Sequence, residues 1–99
     1  MKNPQYVMFI ERTSIYNRLN KAGVERHVEN LRQLDADGKI ALCGALKGLK
    51  GVAGMVIFTT DTIEEAQALC EREPLVVEGY ATYKLYPLMV GNKENNYLL

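Results

Sequence analysis

The sequence predicts an α+β fold in which one antiparallel sheet packs against two helices. Three features predict it: four short apolar or alternating segments typical of strands, two amphipathic segments typical of helices, and their order β-α-β-β-α-β. The chain has 99 residues, of which 47% are hydrophobic and 24% are charged, as in an ordinary globular domain. We therefore expect a single domain over residues 1–99, with a core at about 5–88 and a tail at 90–99.

The first strand is predicted at Gln5–Glu11, where a continuous apolar run contains aromatic and β-branched residues. Such a run is typical of a buried strand. The polar segment 12–21 is predicted to be a loop, in which Asn17 and Asn20 are candidate caps for the helix that follows.

The first helix is predicted from an apolar stripe at helical spacing, formed by Val24, His27, Val28, Leu31 and Leu34. Charged and amide side chains cover its other side. Gly38 is expected to end the helix in a left-handed conformation, because glycine adopts positive φ without steric cost. The stripe includes the only histidine of the chain.

Two strands joined by a glycine-rich connector at 47–51 are predicted next, at Lys39–Leu46 and Val52–Thr60. Both are rich in small and apolar residues, so at least one face of this hairpin is expected to be buried, if necessary by another subunit. Gly44 lies inside the first of these strands, which indicates a bulge or a close approach by another group.

The second helix is predicted to begin at residues 61–65, DTIEE, which offer two pairs with capping-box spacing, and to end before Pro74. One helical turn is expected within 75–79. Tyr80–Met89 alternates between apolar and polar residues and predicts the last strand, and Pro87 favours a position at the edge of the sheet.

With right-handed crossovers, this order defines the ferredoxin-like fold: four antiparallel strands with two helices on one face. No helix remains to cover the other face, although the strands are apolar on both sides. We therefore expect a homodimer through the open sheet face, and higher assembly is left open. The tail at 90–99 is expected to be frayed, or docked on the neighbouring subunit through Tyr97, Leu98 and Leu99.

Composition argues against several classes of protein. The net charge is zero, and the central strands contain one aromatic residue, Phe58, so a nucleic-acid-binding surface is not expected. Cys43 and Cys70 are isolated, so no metal site is predicted, and two lone cysteines fit a reducing cytosol. The apolar run Tyr6–Ile10 is too short for a signal peptide or a membrane span, which predicts a cytoplasmic protein.

His27 is the first candidate for chemistry, because an imidazole exchanges protons near neutral pH. The alternative is a buried histidine that bridges helix and strand. Basic residues are concentrated in the first half of the chain, with nine Lys or Arg against five Asp or Glu in residues 1–50. Lys47 and Lys50 are therefore candidates for attracting an anionic small molecule, against an ordinary scatter of charge.

Other candidates have simpler alternatives. Arg12, at the end of the first strand, could clamp a carboxylate or lie in solvent. Cys43 could be a nucleophile paired with His27, or an ordinary strand cysteine. Four tyrosines could donate a phenolic hydrogen bond or pack in the core or dimer: Tyr6, Tyr80, Tyr83 and Tyr86.

An ordered set of residues resembles a known family. In chain order the set is His27, the helix-ending Gly38, Lys39-Ile40, Gly44, the segment DTIEEA at 61–66, Glu73-Pro74, Gly79 and a final strand. Over about residues 5–88 this set resembles the YCII-related family, small proteins of the dimeric α+β barrel superfamily.

The resemblance implies a ferredoxin-like homodimer with a His–Asp active-site pair. The histidine corresponds to His27, and the aspartate before proline corresponds to Glu73, which keeps the carboxylate and adds a methylene. From the residues alone, Glu73 could equally be a solvated glutamate at a helix end. Leu75 stands where the family often has an aromatic residue. Some members resemble enzymes that isomerise or dehalogenate lactones and chlorinated hydroxyquinones.

Two functions are consistent with these observations. The first is a small cofactor-free enzyme, an isomerase or a dehydrochlorinating lyase, in which His27 and Glu73 transfer a proton on a small anionic or phenolic metabolite. Arg12, Tyr80 and Lys47 are its expected substrate-binding residues, and no metal is expected. The alternative is a non-catalytic module for ligand binding or assembly.

Overall fold

The computed structural model describes residues 4–99, so the first three residues of the predicted 1–99 domain lie outside the described residues. The strands are β1 (Gln5–Arg12), β2 (Ile40–Ala45), β3 (Val52–Phe58) and β4 (Ala81–Leu88). The helices are α1 (Lys21–Ala36), α2 (Ile63–Arg72) and the single turn α3 (Pro74–Val77), with 3-10 turns at Tyr16–Arg18 and Lys93–Leu98. All strand pairs are antiparallel in the order β2-β3-β1-β4, which confirms the predicted ferredoxin-like α+β fold.

Helix α1 begins at Lys21, three residues before the predicted apolar stripe. The cause is the cap: the Asn20 side chain accepts a hydrogen bond of 2.9 Å from the Gly23 N–H. At the other end Gly38 has a φ of 71°, the left-handed conformation predicted for it. Local capping chemistry therefore fixes both ends of the helix that holds His27.

The core lies between the helices and one face of the sheet. On the sheet, Met8 and Ile10 of β1 and Val56 and Phe58 of β3 are each at most 4% exposed. Their helical partners are Leu34 of α1, Ala66, Leu69 and Cys70 of α2, and Leu75 of α3. Because burying one large apolar side chain contributes about 1.5–3 kcal/mol, this layer holds the three helices on the same side.

The opposite face of the sheet is apolar and is not covered by α1, α2 or α3. It is formed by the residues that alternate with the core, such as Val7 and Phe9 of β1 with Met55 and Ile57 of β3. The rings of Phe9 and Tyr86 meet edge to face on it, with centroids 6.2 Å apart. This is the face through which the sequence predicts a homodimer.

The bulge predicted at Gly44 is not formed, and a Cβ built on Gly44 would meet no atom within 4 Å, so the close approach lies at Gly54 instead. Gly44 pairs regularly with Met55, and the register shift of β2 lies between Ile40 and Leu42. A Cβ built on Gly54 would lie 2.6 Å from the Gly44 carbonyl oxygen, so Gly54 is the position where a side chain cannot fit. Burial of the hairpin is limited to β3, because residues 41–45 of the edge strand β2 are exposed in the single chain.

The second half of the chain follows the predicted pattern. Thr62, rather than Asp61, caps α2 by accepting a hydrogen bond of 3.1 Å from the Glu65 N–H. Strand β4 is an edge strand, as Pro87 predicts, and alternates its faces.

Within residues 4–99, no helix has both the length and the apolar character needed to cross a membrane.

Candidate functional site

Glu73 is held at the junction of α2 and α3 by the proline after it. A residue before proline avoids the helical region, and Glu73 has φ −61° and ψ 124°, so α2 ends and a new turn begins. Its carboxylate Oε2 accepts a hydrogen bond of 2.5 Å from the Leu75 N–H and caps α3. The side chain is only 3% exposed, so the carboxylate is both buried and fixed in direction.

The second oxygen of this carboxylate, Oε1, contacts Nδ1 of His27. When Glu73 is ionised, its carboxylate can only accept hydrogen bonds, and the proton of this contact then belongs to Nδ1. In a neutral ring the lone pair then lies on Nε2. No hydrogen bond to Nε2 occurs within residues 4–99, and the His27 side chain remains 20% exposed. The ring therefore has one nitrogen oriented by the protein and one available to a ligand.

His27 lines a cavity of about 240 Å³ between α1 and the β2–β3 hairpin. Its walls are mainly apolar, with Val24 and Leu31 from α1 and small residues such as Gly44 from the strands. A cavity of roughly 150 Å³ lined by apolar side chains can hold benzene. The space beside His27 is therefore suited to a small ligand with a single ring.

The structure brings together some of the predicted site residues and not others. His27 and Glu73 are in contact across 46 positions of sequence. Arg12 is exposed and does not itself line the cavity, but its guanidinium lies over the ring of Tyr16, 5.2 Å from the centroid, and Tyr16 does line it. Lys47 is exposed in the β2–β3 connector and Tyr80 is half-buried against the core, and neither lines the cavity.

Sequence reasoning missed Tyr16 and Leu19, which form the end wall of the cavity beside α1. Both lie in the segment 12–21, which was predicted as a polar loop. Together with Ile15, they are the bulky apolar or aromatic residues of that segment. That contrast with a polar surrounding was the available signal. Leu75, noted only as a departure from the family, also lines the cavity.

The two cysteines occupy different environments. Cys43 is exposed on β2 and lines the cavity, whereas Cys70 is buried in α2. Cys70 is a core residue, and its burial raises the pKa of the thiol to about 12. Among residues 4–99 there is no group of three or more His, Cys, Asp or Glu side chains arranged to hold a metal ion.

A second acid–base contact lies next to the first. Arg26 donates hydrogen bonds of 2.8 and 2.6 Å to the two carboxylate oxygens of Glu78, which follows α3. These bonds hold the pKa of the Glu78 carboxyl below its ordinary value. Both contacts tie α1 to α3, so the helix that presents His27 is anchored at two adjacent positions.

The fold and site define a class: a small ferredoxin-like α+β domain with a carboxylate–histidine pair at a cavity between helix and sheet. The family model described as YCII-related domain matches residues 5–89, and the chain therefore belongs to the YCII-related family.

Among solved structures, the chain is similar to 5-chloro-2-hydroxyhydroquinone dehydrochlorinase from Burkholderia phenoliruptrix in complex with 2,5-dihydroxybenzoquinone. The TM-score is 0.73 with 15% sequence identity, over 93% of this chain and 99% of the dehydrochlorinase chain. Such a likeness shows a shared fold. No curated protein sequence matches the chain.

Proposed function

We propose that this protein is an enzyme that moves protons on a small single-ring metabolite, with His27 as the general acid and base. The observation that supports this most is the position of the imidazole, between a buried carboxylate on one side and an open apolar cavity on the other. Glu73 is the positioning residue, because it fixes the ring orientation and stabilises the imidazolium formed when Nε2 takes a proton.

The proposed substrate class is a phenolic or anionic ring compound, and the proposed reaction is isomerisation or elimination of hydrogen chloride. For a chlorinated trihydroxybenzene, Nε2 would take a hydroxyl proton and return it to the carbon that bears chlorine, which gives a ketone. A second hydroxyl would then lose its proton as chloride leaves, which gives a hydroxyquinone. The net loss is one proton and one chloride, so no oxidant is required. The dehydrochlorinase fold of the similar structure supports this choice.

The test is turnover of a panel of chlorinated hydroxyhydroquinones and small lactones by wild type, His27→Ala, Glu73→Gln and the matched control Glu78→Gln. We expect His27→Ala to lose about 100- to 10,000-fold in kcat/KM, the usual contribution of general acid–base catalysis. Glu73→Gln should lower kcat more than it changes KM, and Glu78→Gln should behave as wild type.

Full activity of His27→Ala would remove the imidazole from the mechanism. If the wild-type protein binds members of the panel with saturation but turns over none of them, the protein is a ligand-binding module instead. The mainly apolar walls of the cavity support this alternative.

We also propose that the open sheet face pairs with a second copy of the chain. The support is the row of half-buried apolar side chains on β1 and β3, which water would otherwise contact. Light scattering at micromolar concentration should give the mass of a dimer for wild type. Ile57→Glu, which places a charge in the middle of this face, should shift the mass to a monomer, whereas Glu25→Lys on exposed α1 should not.

A further inference from the structure

We propose that Arg12 and Tyr16 form an oxyanion-binding edge of the cavity, which selects ligands with a negatively charged oxygen. The inference deepens the proposed function by naming how the substrate class is recognised. It also makes a prediction about binding that does not require turnover.

The register of β1 places Arg12 at this edge. Pairing between β1 and β4 is unbroken from Gln5 to Arg12, and the register shift between Ile10 and Glu11 affects only the β1–β3 pairing. Ile10 and Arg12 therefore lie on the same face of β1, with Arg12 exposed at the strand end. Ile10 lines the cavity, and Arg12 is the next residue on that face toward the strand end. Its guanidinium extends over the Tyr16 ring, 5.2 Å from the centroid.

The positive charge of Arg12 is not neutralised by a neighbouring acid. Among the described residues 4–99, Arg26 and Lys39 each form a salt bridge, but Arg12 forms none. The adjacent Glu11 lies on the other face of β1, where its carboxylate is 3.6 Å from Lys84. Arg12 therefore remains free to attract an anion.

The backbone of Tyr16 is held in a turn, and its hydroxyl has no hydrogen-bond partner among residues 4–99. Its N–H donates to the Thr13 carbonyl at 3.1 Å, and the Thr13 hydroxyl donates to the Gly79 carbonyl at 2.7 Å. The turn is thus attached to the loop before β4. The Tyr83 hydroxyl donates to Glu71, whereas that of Tyr16 makes no hydrogen bond within the described part of the chain.

These features combine into a site for an anionic oxygen. Most of the cavity wall is apolar, and Tyr16 is a lining residue that has a hydroxyl group. A phenol that donates to an ionised oxygen makes a charge-assisted hydrogen bond, which is stronger than one between neutral groups. With the guanidinium stacked on the same ring, a phenolate or hydroxyquinone anion would be held here and its remaining atoms directed toward His27.

The test compares an anionic and a neutral single-ring probe. 2,5-Dihydroxybenzoquinone is ionised at neutral pH and absorbs visible light, and hydroquinone is neutral at that pH. Dissociation constants are measured by absorbance and by calorimetry for wild type, Arg12→Gln, Tyr16→Phe and the control Arg18→Gln, an exposed cation of the same turn.

We expect Arg12→Gln and Tyr16→Phe each to weaken binding of the anion roughly tenfold or more, as removal of a hydrogen bond to a charged group does. Binding of hydroquinone should not change, and Arg18→Gln should match wild type for both probes. Arg12→Lys keeps the charge and should restore part of the affinity for the anion, which a purely structural role would not predict.

Equal losses for both probes, or no loss for the anion, would overturn the proposal, as would a wild-type protein that does not distinguish the probes. Anion-selective binding without turnover of any substrate would instead contradict the proposed enzymatic function and leave this binding edge in place.

Discussion

Two consecutive residues of α1 make acid–base contacts with opposite ends of α3, and the two contacts differ in environment. Arg26 bonds Glu78, which follows the turn, with side chains 51% and 30% exposed. His27 contacts Glu73, which precedes the turn, with side chains 20% and 3% exposed. The same pair of helices is joined once in water and once at the wall of a cavity.

The difference shows how environment separates a tether from a site. In water both partners stay hydrated and salt screens their attraction, so the Arg26–Glu78 pair orients α3 but contributes little to stability. Glu73 does not line the cavity: it is buried behind His27, where it has exchanged water for two protein donors, the Leu75 N–H and the His27 ring. A buried carboxylate in that position determines which nitrogen of the imidazole is free.

The largest expected difference between the His27–Glu73 and Arg26–Glu78 contacts is in the free energy of unfolding. Glu73→Ala removes the cap of α3, worth about 1 kcal/mol, and leaves the Nδ1–H of His27 without its acceptor, worth roughly 1–3 kcal/mol. We expect a loss of about 2–4 kcal/mol in the free energy of unfolding, measured by urea denaturation. Glu78→Ala, the matched control, should change it far less.

Equal losses in the two variants would mean that burial does not distinguish the pairs. A loss in Glu73→Ala that disappears in the double variant with His27→Ala would assign the cost to the unsatisfied imidazole rather than to the cap.

The sequence was sufficient for the local part of this arrangement. Asn20, Gly38 and Thr62 act as helix signals within three or four residues of their partners. Gly38 predicted the end of α1, whereas Asn20 was one of two candidate caps for its start and Thr62 one of two for α2. The extended backbone of Glu73 follows from Pro74 alone. The contact between Glu73 and His27 spans 46 residues, and only the family resemblance indicated it.

The rest of the site could not be predicted because the direction of a side chain is set by tertiary packing. Lys47 and Tyr80 have suitable chemistry for substrate binding, yet neither lines the cavity. Tyr16 does line it, and its backbone is held in a turn by the hydrogen bond from its N–H to the Thr13 carbonyl. The bulky side chains of Tyr16 and Leu19 within a polar segment were the available signal, but residue type and periodicity do not specify the turn that places them on the cavity.

A smaller effect is expected for the exposed Arg26–Glu78 pair, whose contribution to stability depends on pH. The hydrogen bonds from Arg26 hold the pKa of Glu78 below its ordinary value of 4.5, so the folded protein binds fewer protons here than the unfolded chain. The contribution to stability is therefore present above about pH 4.5 and is lost as the pH falls through the lower, folded-state pKa.

Carbon-detected NMR titration of the glutamate carboxyl groups measures this shift directly. In Arg26→Gln, Glu78 should titrate near its ordinary pKa, while Glu65, whose pKa is lowered by its bond from Lys39, should be unchanged and serves as the internal control. If Glu78 already titrates at its ordinary pKa in the wild-type protein, the Arg26 contact does not persist in solution. The orientation of α3 would then depend only on the His27–Glu73 contact and on core packing. A ligand that binds Nε2 of His27 would in that case act, through Glu73, on the orientation of α3.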